Sequence, residues 1–419
     1  MSKGEYGYNQ KSNKEYNLRL LLNLIRLQGP VSRIELANLT GLSGATVSNL
    51  TSILLSLGLI KEVGPGESSL GRKPVLLELE ANSRFAVGID LGRTAVTGVI
   101  TNLKGEVIAR ERIIKNVFTD GTDLVETVGK MVNSLISGAM IAKKKIVGLG
   151  IVAPGPLSWR EGSIRSLPPG SEKNPSRYHV PYDWSDFPLA KAVQEETGLL
   201  TFVDNDANAA ALAEKWLGGA KESDNFVCII VGTGIGAGVI VDGQPYRGED
   251  GLAAEIGHTT VNAEGPPCVC GNYGCLELYA SRDAMLAYTR ERLATGAASE
   301  LQQDLATGEL TITGIFTAAT RGDALAREVL AREIKYLGSG VVNMVNLFNP
   351  DLVILNTREM PLTDLRLLVE PIQQMVQERA FSVAAEKVRV RASELGDDGP
   401  LLGGVTLVLH YFFTSPENL

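Results

Sequence analysis

One strand-turn-strand pattern occurs twice in this chain, and nothing else restricts its fold as much. Residues 85–109 read FAVGIDLGRTAVTGVITNLKGEVIA, and residues 226–247 read FVCIIVGTGIGAGVIVDGQPYR. Each is an apolar run, a glycine-bearing turn, a second apolar run and a hairpin turn, at Lys104-Gly105 in the first copy and Asp242-Gly243 in the second. Mixed helix and strand patterns follow each copy. The segment 121–140 is periodic as a helix and precedes the buried strand pattern KIVGLGIVA; 324–349 is a long helical pattern before DLVIL. A chain of 419 residues is too long for one ordinary core. The repeat divides it into two α/β lobes.

Two lobes that each open on a β-hairpin suggest an actin-like arrangement, with the ligand site in the cleft between them. Glycine turns after strands let backbone N–H groups approach an anion. The first turn holds Asp90, Gly92 and Thr94, the second Gly232, Thr233, Gly234 and Gly236. Either turn alone is ordinary; at equivalent places of a repeat they point to an ancestral nucleotide cleft. A further polar group, Asp204, Asn205, Asp206 and Asn208, stands where the strand LLTFV gives way to an Ala-rich helix. Such residues cap helices, but one cap needs one of them. A carboxylate placed to receive a hydroxyl proton is the functional alternative.

Residues 1–80 follow another pattern. EYNLRLLLNLIRLQGP is an amphipathic helix stopped by Gly29-Pro30. In SRIELANLTG, Ser32 and Glu35 form a capping box, Ile34, Leu36 and Leu39 are expected to face inward, and Gly41 ends the helix. SGATVSNLTSILLSLG begins at Ser43, with Val47, Leu50, Ile53, Leu54 and Leu57 as its buried side. LIKEVG and VLLELE read as two strands around the tip PGESSLGRKP. Three helices and a two-stranded wing describe a winged helix-turn-helix, whose third helix enters the major groove of DNA. The surface expected to meet DNA comprises Ser43, Thr46, Ser48 and Asn49 on that helix, with Gly44 and Ser52; phosphate contacts are expected from Arg33, Lys61, Arg72 and Lys73. The competing reading is a packing or dimerisation domain, since such shapes also make protein contacts.

Charge supports the division. The whole chain carries −8, but residues 1–80 hold nine Lys/Arg and seven Asp/Glu, or +2, leaving −10 for the body. The net charge argues against generic nucleic-acid coating, and the mildly basic head leaves room for a contact with DNA. The sequence has no uninterrupted apolar run long enough to span a membrane, and its polar start does not resemble a signal peptide. With four cysteines in 419 residues, a disulfide framework is not expected and a cytoplasmic location is.

Three of those cysteines crowd into CVCGNYGCLE, residues 268–277, ten residues after His258. His258, Cys268, Cys270 and Cys275 make a Cys3His set, suited to one tetrahedral, structural Zn2+ with no open position. Gly271 and Gly274 let the loop turn tightly around it. Buried small hydrophobes or a redox pair fit this spacing poorly. Cys228 reads as core, and His179 and His410 as ordinary polar or core residues.

At residues 85–410 the chain resembles the ROK family of repressors and sugar kinases, through Glu255-x-Gly257-His258, Cys268-x-Cys270-Gly271-x-x-Gly274-Cys275-x-Glu277 and Asn205-Asp206. With its winged head it resembles the family's transcriptional repressors. The resemblance implies an α/β actin-like (ribonuclease H-like) two-lobed body behind a winged helix-turn-helix: residues 1–80 the DNA-binding head, 81–203 with 396–419 the first lobe, 204–395 the second lobe with the zinc loop. It implies that Asn205, Asp206, Glu255, His258 and Glu277 hydrogen-bond a sugar, and that Asp206 is the general base where a member is a kinase. His258 would bind zinc through one ring nitrogen and offer the other to a hydroxyl. Kinase members carry Asp-x-Gly-Gly-Thr at the first turn; here Arg93 replaces the second glycine. Kinases also have Gly-Gly after the late strand, where this chain has Asn356-Thr357-Arg358. The sugar side looks intact and the ATP side damaged. The expectation is a sugar-responsive repressor, dimeric or tetrameric on operator DNA and released by sugar. A sugar kinase or bifunctional kinase-regulator is the alternative.

Overall fold

Leu18, Leu21, Leu22 and Ile25 line one face of α1 (Gln10–Gln28) in the computed structural model, which describes residues 10–65, 73–92, 95–115, 118, 120–165, 186–357 and 365–415. After β1 (Val31–Ser32), the chain enters α2 (Arg33–Thr40) through the expected capping box: Ser32 Oγ accepts from Glu35 N, and Glu35 Oε2 accepts from Ser32 N at 2.7 Å. Gly41 leaves the helix at φ 69°, a left-handed turn that favours glycine. Ser43 caps α3 (Gly44–Ser56), which packs Val47, Leu50 and Leu54 against α1. Then β2 (Ile60–Pro65) and β3 (Val75–Leu79) complete an antiparallel sheet of order β1-β3-β2. This is the winged helix-turn-helix.

Two details of the head differ from expectation. Ile34 and Leu39 are 67% and 51% exposed, and Leu36 alone is buried on α2. At about 3.6 residues per turn, Ile34 and Leu39 lie on opposite flanks of the face that Leu36 shares with Ala37. Leu57 is the C-cap of α3 rather than part of its buried side, and is 38% exposed. Thr51 takes a core place instead, its hydroxyl returned to Val47 O at 2.8 Å.

The first lobe contains β4 (Phe85–Leu91), β5 (Ala95–Asn102), β6 (Val107–Ile114), α4 (Gly121–Gly138), β7 (Ile146–Ala153), the short hairpin of β8 (Leu157–Ser158) and β9 (Ser163–Ile164), α5 (Leu189–Thr197) and β10 (Thr201–Asn205). Its sheet runs β10-β7-β4-β5-β6, antiparallel among β4, β5 and β6, parallel through β7 and β10. The boundary expected at 203/204 falls inside β10. The chain then passes through α6 (Asp206–Trp216) into the second lobe: β11 (Phe226–Val231), β12 (Ile235–Val241), β13 (Gln244–Pro245), α7 (Glu277–Ala280), α8 (Arg282–Ala294), α9 (Leu301–Thr307), α10 (Ile312–Arg321), α11 (Ala324–Phe348), β14 (Leu352–Thr357), α12 (Arg366–Arg379), α13 (Ser382–Lys387) and β15 (Arg389–Ala392). Its sheet runs β13-β12-β11-β14-β15 with the same sequence of antiparallel and parallel pairs. The repeat legible as one hairpin unit is a repeat of the whole five-stranded topology.

The exit helices are exchanged. The helix α6 leaves the first sheet and packs on β11 and β12 of the second; α14 (Gly399–Thr414) leaves the second and packs on β4 and β7 of the first. The two lie against each other between the lobes. Glycines make this closeness possible: a Cβ on Gly150 of β7 would stand 1.9 Å from Gly404 O, and one on Gly238 of β12 would stand 2.4 Å from Ala207 O.

The head is packed onto this assembly. Leu18, Leu21 and Ile25 share one apolar cluster with Leu401, Val405 and Leu409 of α14. Buried Arg19 donates from Nη1 to Phe412 O at 3.4 Å. Arg26, in the last turn of α1, stacks on Trp216 with its guanidinium carbon 3.9 Å from the ring centroid. Burial pushes its pKa down to about 10, so it stays charged at neutral pH.

Candidate functional site

The four polar residues after LLTFV have separate tasks. Asn205 is the N-cap of α6, its Oδ1 accepting from Ala207 N at 2.9 Å and Asn208 N at 3.4 Å. Asp206 opens the first turn of α6, half-buried, and its Oδ1 accepts from Ala207 N at 2.9 Å. Buried Asn208 bonds the carboxylate of Asp204. Asp204 itself turns to Arg247, whose Nε and Nη2 both donate to Oδ2, at 3.1 and 2.5 Å.

That pair was not foreseen, and it joins the lobes: Asp204 belongs to β10, Arg247 to the loop after β13. Arg247 also lies 4.7 Å from the ring centroid of Trp159, between β8 and β9. Gly251 packs so closely there that a Cβ would stand 2.8 Å from Trp159 Cδ1. The only signal in the sequence is an arginine at the end of the second copy of the repeated unit, which carries no pairing information.

Glu255 is the N-cap of the 3-10 turn Ile256–His258, and His258 is its last residue. Burial of the Glu255 carboxyl raises its pKa, and the negative charge of Asp206 raises it further. As a residue Glu255 is exposed, so its carboxyl is only partly shielded from solvent. Two carboxylates, one at the start of α6 and one in the loop after β13, are thus close enough to act on each other, the chemistry required to accept from sugar hydroxyls.

The cysteine loop follows in the chain. The donor atoms of His258, Cys268, Cys270 and Cys275 all lie within 4.8 Å of one another. Cys270 Sγ and Cys275 Sγ are 3.7 Å apart, and Cys268 Sγ is 3.7 Å from His258 Nδ1. Four ligands at about 2.0–2.3 Å from a tetrahedral ion stand at about this spacing from each other. Without a cation the thiols oppose each other's ionisation: burial and the neighbouring sulfurs push Cys275 up to about 12. The donor set therefore fits a metal ion. Gly271 and Gly274 take φ of 91° and 62°, and a Cβ on Gly274 would lie 1.7 Å from Asn262 O. Cys228 is wholly buried in β11 and belongs to the core.

Glu277, two residues after Cys275, opens α7 and is 7% exposed. Its Oε2 accepts from Ile235 N at 3.0 Å, and a Cβ on Gly234 would stand 2.4 Å from that oxygen. The metal loop is thereby tied to the second glycine turn. At the late strand, Asn356 and Thr357 are buried, and Asn356 Nδ2 donates to Gly396 O at 2.8 Å, bracing β14 against the approach to α14. Arg93, Thr94, Arg358, His179 and the loop 166–184 lie outside the described residues.

In the head, Ser48 and Asn49 are exposed on α3. Ser43 and Thr46 close the cap, Ser43 Oγ lying 2.8 Å from Thr46 Oγ1. Arg33 is engaged internally, with Nη2 on Glu62 at 2.9 Å and Nε on Thr51 Oγ1 at 3.1 Å. Lys61 pairs with Glu80 at 3.3 Å. Lys73 is exposed, and Arg72 lies outside the described residues.

The ROK family model matches residues 86–411. The xylose repressor of Caldicellulosiruptor bescii is 32% identical over 404 residues, 96% of this chain and 98% of that one. The crystal structure of a ROK family transcriptional regulator, a homologue of the E. coli MLC protein, matches 96% of this chain and 97% of its own, with TM-score 0.82 and 28% identity. A ROK family glucokinase from Streptomyces griseus, solved with glucose and AMPPNP, matches 98% of its own chain but 77% of this one, with TM-score 0.65 and 26% identity. The two regulators extend over the head; the kinase matches a body-sized share.

Proposed function

This chain belongs to the ROK family, and from that premise we propose that it is a sugar-responsive, DNA-binding transcriptional repressor of carbohydrate metabolism. The observation that carries this reading is the union of two parts. A winged head with an exposed third helix is packed onto a ROK body, and the similarity to repressors spans both.

In this reading Asn205, Asp206, Glu255, His258 and Glu277 bind the effector sugar, and one Zn2+ per chain sits on His258, Cys268, Cys270 and Cys275. The metal would supply no reaction; it fixes the imidazole of His258 so that the other ring nitrogen has a defined direction. Ser48 and Asn49 meet base edges, and Lys73 and Arg72 meet phosphate. Internal pairing of Arg33 leaves it the weakest of the phosphate candidates. The protein acts in the cytoplasm as a dimer or tetramer on a near-palindromic operator, and sugar releases it. Asn356 and Thr357, buried where kinases have two glycines, support a sensor without significant kinase activity.

The test combines a thermal-shift screen against D-xylose, D-glucose and N-acetyl-D-glucosamine with operator binding by fluorescence anisotropy. One sugar should raise the Tm and change operator affinity, and Asp206→Asn should remove both effects while operator binding without sugar persists. A normal sugar response in that variant would place the sugar elsewhere. ADP release well above background with any of these sugars would favour the kinase reading.

A further inference from the structure

The first helix of the head, α1, meets two helices of the body, and only one of them begins at the proposed sugar site. One is α14, which supplies Leu401, Val405 and Leu409 to the apolar cluster that α1 shares. The contact from α6 is Trp216, at the other end of the helix whose cap is Asn205 and whose first residue is Asp206. Eleven residues of helix carry that end about 16 Å away.

We propose that the stacking of Arg26 on Trp216 transmits the state of the sugar site to the DNA-binding head, with Trp216 and Arg26 acting as positioning residues. This rests on the reading that sugar binds at Asn205 and Asp206. Three observations carry it. First, α6 is packed without slack between the lobes: a Cβ on Gly238 would stand 2.4 Å from Ala207 O on one side, and a Cβ on Gly403 would stand 2.5 Å from the Ala209 carbonyl carbon on the other. Close-packed elements move as units, so a pull on the Asn205 cap displaces Trp216.

Second, the contact depends on position. The Arg26 guanidinium lies 3.9 Å from the Trp216 centroid and 5.2 Å from that of Phe413. Among the described residues no carboxylate is in ion-pair range of it, and its Nε is held by Asn23 Oδ1 at 3.0 Å. A cation held by a ring face loses most of the attraction beyond about 6 Å. Third, the output is direct: Arg26 is in the last turn of α1, and α1 packs on α3, the helix that presents Ser48 and Asn49. A shift of Trp216 reaches the recognition helix through a single intervening helix.

The experiment uses the full chain with whichever of D-xylose, D-glucose and N-acetyl-D-glucosamine stabilises the wild type. Operator Kd is measured with and without saturating sugar, and sugar binding is followed separately by the Tm shift of the free protein. In Arg26→Gln and Trp216→Leu, the ratio of the two Kd values should collapse to within about twofold of unity while the sugar-induced Tm shift persists. Arg26→Lys and Trp216→Phe, which keep a cation and a ring, should retain an intermediate ratio and guard against loss of folding. A wild-type ratio in the Gln and Leu variants overturns the inference. So does loss of the Tm shift, because the contact would then be supporting the sugar site rather than reading it. If no sugar affects the wild type, the sensor reading fails first, and the inference falls with it.

Discussion

The carboxylate of Asp204 and the guanidinium of Arg247 meet at 2.5 Å in the cleft, one from each lobe and both largely buried. Closure of the lobes is therefore held by an ion pair immediately before the proposed sugar-binding residues. Arg247→Met should leave a buried carboxylate without its cation and cost about 3–5 kcal/mol, read as a lowered Tm of the body. Asp204→Asn with Arg247→Met should recover part of that loss. If Arg247→Met alone leaves the Tm unchanged, the pair does not hold the lobes.

Metal content is the second prediction. One Zn2+ per chain is expected by elemental analysis, and Cys275→Ser should lower it. Stripping the metal with a strong chelator should remove the sugar-induced Tm shift before it harms operator binding, because the Cys3His loop belongs to the second lobe and is tied to Glu277, not to the head. Equal loss of both properties would count against this order.

A third prediction concerns acid. Burial, with the charges of Arg247 and Arg26, pushes His410 from 6.5 down to about 4. The fold favours the neutral ring, so its contribution to stability is whole above about pH 6.5 and is lost as pH falls toward about 4. Between pH 7 and 5 this amounts to roughly 2 kcal/mol. His410 meets Trp216 edge-on at 5.9 Å, so the loss falls beside the contact between head and body. His410→Gln should flatten the decline of Tm over that range; an unchanged decline would assign it to other groups.

For the head, Asn49→Ala should cost about 1–3 kcal/mol on the operator and much less on unrelated DNA. Arg72→Ala should weaken binding to both and reduce the salt slope by about 1. Anisotropy titrations at several salt concentrations separate the two. Equal effects of Asn49→Ala on operator and unrelated DNA would remove it from base readout.

What could be read in the sequence was local. The capping box at Ser32 and Glu35, the Ser43 cap, both strand-turn-strand units and the Cys3His set are each signalled by residues close in the chain. Ile34 and Leu39 show where locality fails: their type says core, but only Leu36 faces the neighbouring helices. The Asp204–Arg247 pair and the stacking of Arg26 on Trp216 join distant segments, and each residue alone would be equally at home on a surface. The exchange of α6 and α14 was likewise invisible, because an apolar helix does not state which sheet it will cover.

That exchange has a consequence during synthesis. The first sheet is complete once β10 has been made, yet the face around Gly88 and Gly150 stays bare until α14 arrives. The head is made earlier still, and its underside waits for the same helix. On the ribosome the parts that read DNA emerge first and are finished last. A frameshift or early stop within α14 would therefore strip the oldest part of the chain, and a regulator interrupted at that point would leave the ribosome without a seated head.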